Sequence, residues 1–197
     1  MDLVLIRHPA PAIAAGVCYG RTDVPLAGDA VQAAAAIAER LAALGTPTPQ
    51  AFWTSPLVRC ASIAAPLAGR FGQHAQADAR LQEIDFGAWE GRCWDAIDRA
   101  ALDAWAADLQ HARVHGGENV AQFSKRVGGW LDEWRTRATY GTTAHVITHA
   151  GVIRMLAALA LDMPLDTLLA RPLGMAALVW LQRENDTGRW QIRAWDV

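Results

Sequence analysis

Arg7, His8, Arg59, Glu83 and His149 are the residues of this chain whose types and settings could do chemistry together. Most of them stand where an apolar run stops. "LVLIRH" ends in Arg7 and His8, and Pro9 then removes the donor that further strand pairing needs. "AFWTSPLVRC" passes from a strand pattern into a helix start and leaves Arg59 in the first turn. The helix dipole disfavours a cation there, so either a bound anion or a surface ion pair must offset it. "AHVITH" ends in His149, with Gly151 and a helix following, and "RLQEIDFGAWEG" carries Glu83. Two guanidinium groups, two imidazoles and a carboxyl suit phosphoryl transfer. A phosphomonoester is a dianion that arginine forks and imidazole donors can hold. A neutral imidazole, with an ordinary pKa of ~6.5, is a nucleophile near neutral pH. A carboxylic acid can protonate the departing alkoxide. This set asks for no metal and no cofactor, and no paired aspartates suggest one.

Those residues must be carried by elements that bring their ends together. "LVLIRH", "AFWTS" and "TAHVITH" read as buried strands. "GDAVQAAAAIAERLAALG" reads as a helix stopped by Gly45. "PLVRCASIAAPLAGRFG" reads as a helix entered through Ser55 and Pro56, with Pro66 inside it. "ARLQEIDF" reads as extended. "GRCWDAIDRAALDAWAADLQ" reads as a helix with Trp94, Ile97, Ala101, Leu102 and Trp105 on one stripe. After the turn "HGGEN", "VAQFSKRVGGWLDEWRTRAT" is a second helix with a weak Gly128-Gly129 middle, and "GVIRMLAALA" is a third. "MAALVWLQR" and "RWQIRAWDV" form a closing hairpin across "ENDTG". The alternation predicts an α/β fold, a three-layer α/β/α sandwich on a mostly parallel central sheet. Ligands bind such sheets at the carboxyl ends of strands, where these side chains lie.

Other candidates carry less. "CWDAIDR", Cys93 to Arg99, has the bare Cys-to-Arg spacing of a cysteine phosphatase loop, but it reads as helix and its Asp95 and Asp98 would repel a dianion. His145 and His149 would share a metal on a helix, but lie at opposite ends of a strand. His74, His111 and His115 sit in polar loop contexts and are expected to be solvated. Trp94, Trp105, Trp130 and Trp134 are expected to form a helix–helix core, with a stacked aromatic substrate as the sharper alternative.

Composition bounds the rest. The 197 residues, 52% hydrophobic and 19% charged, are enough for one domain with a buried core. A net charge of −2 argues against a general nucleic-acid surface. Three cysteines, without Cys-x-x-Cys spacing, point to a reducing compartment, so a cytoplasmic location is expected. "MDLVLIRHP" is too short an apolar run for a signal peptide, and "MLAALALDM" too short to span a membrane.

The chain resembles the histidine phosphatases, or phosphoglycerate mutase-like proteins. The resemblance runs through Arg7-His8-Pro9, where the family signature is Arg-His-Gly, and through "SPLVRCASIA", "RLQEIDFGAWEG" and "VITHAGVIR". Proline for glycine removes one backbone N–H at that loop. The resemblance implies a phosphoglycerate mutase-like fold over residues 1–197 as a single domain. It also implies that His8 takes the phosphoryl group, that Arg7, Arg59 and His149 hold it, and that Glu83 protonates the leaving oxygen. "GVCYGRTDVPLAG" and "LQEIDFGAWEGRCWDAI" are similar to segments of the α-ribazole-5′-phosphate phosphatases of cobalamin nucleotide-loop assembly. By that likeness Gly20, Arg21 and Gly151 contact substrate; a turn residue held by Asp23 is the other reading of Arg21. "HGGEN" resembles the family's Pro-Gly-Gly-Glu-Ser turn, with Glu118 as a helix-start carboxylate. Expected is a phosphomonoesterase on a small-molecule phosphomonoester, with a helical, lid-like excursion at about 91–139 over the site, and a homodimer as an open possibility. A broad small-molecule or sugar phosphatase is the alternative. A phosphoglycerate mutase fits less well, since no basic lid for a second phosphate is evident, and an inactive binding member would waste five site residues.

Overall fold

The computed structural model describes residues 1–139 and 141–197. Six strands form one sheet: β1 (Asp2–Arg7), β2 (Ala51–Thr54), β3 (Ala75–Ala77), β4 (Thr143–Thr148), β5 (Leu178–Arg183) and β6 (Trp190–Trp195), in the order β3-β2-β4-β1-β5-β6. The pairings β2–β3, β2–β4 and β1–β4 are parallel, whereas β1–β5 and β5–β6 are antiparallel. The sheet is therefore mixed, with its parallel half carrying the site residues and the expected closing hairpin forming one edge.

Residue alternation on the strands builds the two outer layers. Leu3 and Leu5 of β1 face α4 (Val120–Arg137) and α5 (Ala150–Leu161), while Val4 and Ile6 face α1 (Ala30–Ala43) and α2 (Val58–Gly69). All four side chains are fully buried, each worth roughly 1.5–3 kcal/mol of apolar transfer. β1 has no polar face because both faces are covered. Helix α1 begins at Asp29, whose carboxylate accepts from the Gln32 amide at 2.7 Å, and it closes before Gly45 at φ +65°. Helix α4 starts on a reciprocal cap between Asn119 and Gln122 and runs unbroken through Gly128 and Gly129.

Several expectations are corrected. Leu57, not Ser55, stands at the start of α2, and Asp23 from a distant loop accepts from the Val58 amide at 2.6 Å. That carboxylate at the helix N-terminus offsets the dipole cost of placing Arg59 there. "ARLQEIDF" is not a strand: after β3 the chain makes a 3-10 turn at Ala79–Leu81 and then runs irregularly. A 3-10 turn at Gly87–Trp89 precedes Gly91, and the stretch expected as one helix from there is loop with a second 3-10 turn at Trp94–Ala96; only α3 (Arg99–Ala107) is α-helical. Trp94 and Trp105 still pack together, on Trp89, Ile97 and Phe86, but Trp130 and Trp134 belong to the separate core under α4. A short helix, α6 (Leu165–Leu169), was not expected. Among the described residues no helix is long and apolar enough to cross a membrane.

Candidate active site

Parallel pairing places Arg7 opposite Thr148, so β1 and β4 end side by side and deliver His8 and His149 to one edge of the sheet. The two imidazole rings meet edge to face, with centroids 5.3 Å apart. His8 is buried, and its Nδ1 lies 2.6 Å from the carbonyl oxygen of Pro9. A carbonyl only accepts, so Nδ1 carries the proton and Nε2 keeps its lone pair. Burial, reinforced by the charges of Arg59 and Arg7 and opposed by the Pro9 contact, lowers the His8 pKa to about 3. The ring is therefore neutral near pH 7. Pro9 thus supplies the orienting acceptor, although its own missing amide donor cannot touch an anion.

Arg59 is fully buried and uses every nitrogen: Nη1 donates to Thr22 O at 2.8 Å, Nη2 to Gly20 O at 2.6 Å and Nε to His149 Nδ1 at 3.2 Å. Its guanidinium also lies over the Tyr19 ring, 5.3 Å from the centroid. Each Nη makes one hydrogen bond to the protein and so has a second N–H to offer an anion, on a guanidinium held by three acceptors. Arg7 donates from Nη1 to Leu173 O at 2.5 Å, and its buried Nε has no hydrogen-bond partner among the described residues. An orphaned guanidinium N–H next to His8 is a donor awaiting an acceptor.

Glu83 is placed by two backbone amides: Gly151 N donates to Oε2 at 3.0 Å and Ile84 N to Oε1 at 3.1 Å. Gly151 leaves that carboxyl its place, because a Cβ there would stand 2.3 Å from Glu83 Oε1 and displace it. Gly20 is the stricter requirement, since its Cβ would fall 1.9 Å from the Ile84 carbonyl oxygen, which is backbone. Gly20 therefore packs the loop and offers its own carbonyl to Arg59.

Arg7, His8, Arg59, Glu83 and Gly151 line one cavity of about 460 Å³, with Tyr19 beside them. Its remaining walls are apolar: Ile84 and Phe86, then Trp105, Leu109, Val120 and Phe123 from the excursion, and Leu165 and Leu169 from α6. Four residues of the expected excursion thus line the cavity, and α6 is a wall that the sequence reading missed. Three expected site residues, Gly20, His149 and Arg21, stand outside the cavity lining. His149 does not line the cavity: Nδ1 accepts from Arg59 and Nε2 lies 2.8 Å from Ser55 Oγ, so both ring nitrogens are taken by the protein. Arg21 points away to Asp85 at 3.8 Å and Glu118 at 3.5 Å, not to Asp23, which is occupied at α2.

Further residues hold the site without having been singled out. Glu90 accepts from the amides of Arg21 at 2.8 Å, Thr22 at 2.5 Å and Phe86 at 3.0 Å, and from the Thr22 hydroxyl, so it ties the loop under Arg59 to the segment after Glu83. Burial alone would raise its pKa, but these donors outweigh burial and lower it. Glu118 is bound by Arg126 at 2.7 Å, an ion pair inside the fold rather than a free helix-start carboxylate. His115 is buried, contrary to expectation: Nδ1 accepts from Gly117 N at 3.0 Å and the ring packs 4.8 Å from Trp89. Among the described residues no three His, Cys, Asp or Glu side chains are grouped as metal ligands.

Comparisons with known proteins bear on the family and the fold. The sequence profile of the histidine phosphatase superfamily, branch 1, matches residues 3–197. No curated protein sequence matches the chain. Among solved structures, a mycobacterial glucosyl-3-phosphoglycerate phosphatase superposes with a TM-score of 0.83 at 26% identity, over 100% of this chain and 98% of that one. The alpha-ribazole phosphatase of Shigella flexneri gives 0.84 at 22% identity, covering 100% and 96%. A phosphoserine phosphatase of Entamoeba histolytica gives 0.79 at 21% identity, covering 99% and 96%. The last two likenesses bear on the fold.

Proposed function

Since the chain belongs to the histidine phosphatase superfamily, branch 1, we propose that it is a metal-independent phosphomonoesterase working through a phosphohistidine at His8. The observation that carries this reading is the His8 ring. Its proton is tied to Pro9, its Nε2 makes no hydrogen bond among the described residues, and Arg7 and Arg59 flank it at the cavity floor. In the first step Nε2 attacks phosphorus, the P–O bond to the leaving group breaks, and Glu83 as a carboxylic acid gives that oxygen its proton. In the second step the Glu83 carboxylate takes a proton from water, which attacks phosphorus and releases inorganic phosphate from His8. Arg7 and Arg59 stabilise charge on the non-bridging oxygens throughout.

The preferred substrate on this reading is a monophosphate with an apolar, nucleoside-like leaving group, α-ribazole 5′-phosphate foremost, which would give the enzyme a place in cobalamin nucleotide-loop assembly. Support comes from the aromatic and leucine walls and from Arg21, which faces Asp85 and Glu118 and does not line the cavity. Burying about 100 Å² of an aromatic base is worth ~2.5 kcal/mol, roughly seventyfold in kcat/KM. The likeness at 26% identity to the glucosyl-3-phosphoglycerate phosphatase favours the second reading, a broad or sugar-directed phosphatase.

Rapid quench with labelled substrate is expected to trap an acid-labile, base-stable phosphoenzyme that His8→Ala abolishes, and activity is expected to survive EDTA. Adduct formation by His8→Ala, or loss on EDTA treatment restored by magnesium or zinc, would refute the mechanism. Competition between α-ribazole 5′-phosphate, glucosyl-3-phosphoglycerate and a sugar phosphate decides the substrate.

A further inference from the structure

We propose that Arg126 is the positioning residue for the general acid and that Glu118 holds Arg126 in that role; this rests on the reading of Glu83 as proton donor. Residues 82–86 follow a 3-10 turn and belong to no strand, so no ladder fixes the backbone that carries Glu83. Arg126, from the second turn of α4, supplies what the ladder would. Its Nη1 donates to the carbonyls of Arg80 at 2.8 Å and Gln82 at 3.0 Å, and its Nη2 to the carbonyl of Glu83 itself at 3.3 Å. The same guanidinium is gripped from behind by Glu118, with Nε to Oε1 at 2.8 Å and Nη2 to Oε2 at 2.7 Å. One planar fork therefore spans three carbonyls and a carboxylate, a pattern lysine cannot reproduce.

The pair is well placed to act on geometry rather than on charge in the cavity. Both side chains are largely buried, and neither lines the cavity. Glu118 also contacts Arg21 at 3.5 Å, and Arg21 stands between the two carbonyls, Gly20 and Thr22, that hold Arg59. The backbone of Glu118 is itself fixed, its amide donating to Asp85 O at 2.8 Å. Glu118 thus joins the segment that carries the acid to the loop that holds the phosphate-binding arginine. A proton donor must sit within a fraction of an ångström of the leaving oxygen, so loosening residues 82–84 should harm protonation first.

The test is a double-mutant cycle read on two substrates. Ethyl phosphate has a poor leaving group and needs the acid; p-nitrophenyl phosphate has a good one and needs it far less. Arg126→Gln is expected to lower kcat on ethyl phosphate ten- to a hundredfold more than on p-nitrophenyl phosphate, in the direction of Glu83→Gln. In the Glu83→Gln background, Arg126→Gln should change that ratio no further, because there is no acid left to position. An equal loss on both substrates, or a ratio that multiplies in the double variant, overturns the proposal while leaving a selective Glu83→Gln effect standing. An unselective Glu83→Gln overturns both the proton-donor reading and this proposal. If Arg126→Gln does not fold, Glu118→Gln keeps the shape and should show the same selectivity at smaller size; an unselective effect there overturns the proposal.

Discussion

Arg59 Nε donates to His149 Nδ1 across 3.2 Å, and this contact decides the tautomer of the second histidine. A guanidinium cannot accept, so Nδ1 offers its lone pair and the ring proton sits on Nε2, facing Ser55 Oγ at 2.8 Å. Burial, with Arg59 and the other nearby cationic groups adding to it, holds His149 far below an ordinary histidine pKa, consistent with a neutral ring. In this arrangement His149 orders Arg59 and its turn, and the arginine rather than the imidazole faces the cavity.

Ser55→Ala should therefore leave the buried Nε2–H of His149 with only a weak sulfur acceptor, Cys60 Sγ at 3.6 Å. The expected cost is about 1–3 kcal/mol of stability, read as a lower urea midpoint at unchanged slope. Nitrogen NMR should show the Nε2–H tautomer of His149 in the native enzyme. An unchanged midpoint, or the Nδ1–H tautomer, would contradict the assignment.

His8 should stay neutral well into the acid range. With a pKa near 3 in the free enzyme, its ring resonances should not titrate between pH 8 and pH 5. Loss of activity over that interval would then have to arise from another group. A His8 titration centred near pH 6.5 would show that the ring is more solvated than its packing against Tyr19 and His149 implies.

How far these residues could be read in advance depended on what each one answers to. His8, Arg59 and Glu83 were legible because they interrupt apolar patterns at element ends, and because the chemistry of one dianion unites their types. The parallel strands were legible since β1 and β4 are buried almost throughout and carry β-branched and leucine residues in runs, Leu3 to Ile6 and Val146 to Ile147. Arg126 and Glu90 were not, because a charged residue in an amphipathic helix or a turn has the same appearance whether it meets water or a backbone carbonyl. His115 misled for a related reason: its neighbours are glycines and charges, but tertiary packing against Trp89 removes it from solvent. The region after Gly91 carried a helical stripe, yet the three-residue 3-10 turns on either side of Gly91, which bring Trp89 and Trp94 together, are too short to have a periodicity.

Gly151→Ala should act as a local lever on Glu83. The added methyl group would lie 2.3 Å from Oε1, and the carboxyl can yield by moving. Turnover of ethyl phosphate should fall at least tenfold, with a melting temperature close to the native value. Gly20→Ala meets the Ile84 backbone at 1.9 Å, where nothing flexible can yield, and should unfold the loop instead. Native activity in Gly151→Ala would separate Glu83 from the chemistry.

His145 should make the fold acid-labile independently of catalysis. It lies fully buried on β4, edge-on to Phe52 at 5.1 Å and Phe71 at 5.7 Å, and neither ring nitrogen reaches a hydrogen-bond partner among the described residues. Burial, only partly relieved by the nearby Pro47 carbonyl, lowers its pKa from 6.5 to about 4. The sign follows from proton uptake. Below pH 6.5 the unfolded chain protonates this histidine while the native chain does not, so stability falls as pH falls, from about 6.5 until about 4 where the native ring also takes its proton. The loss from this one group is on the order of 3 kcal/mol, since each pH decade of mismatch costs ~1.4 kcal/mol. His8 and His149 contribute in the same direction. Urea unfolding at pH 7, 6, 5 and 4 should show the decline, and His145→Leu, which fills the site without a titrating group, should flatten it. A wild-type midpoint independent of pH over this range, or a decline equally steep in His145→Leu, would remove His145 as the cause.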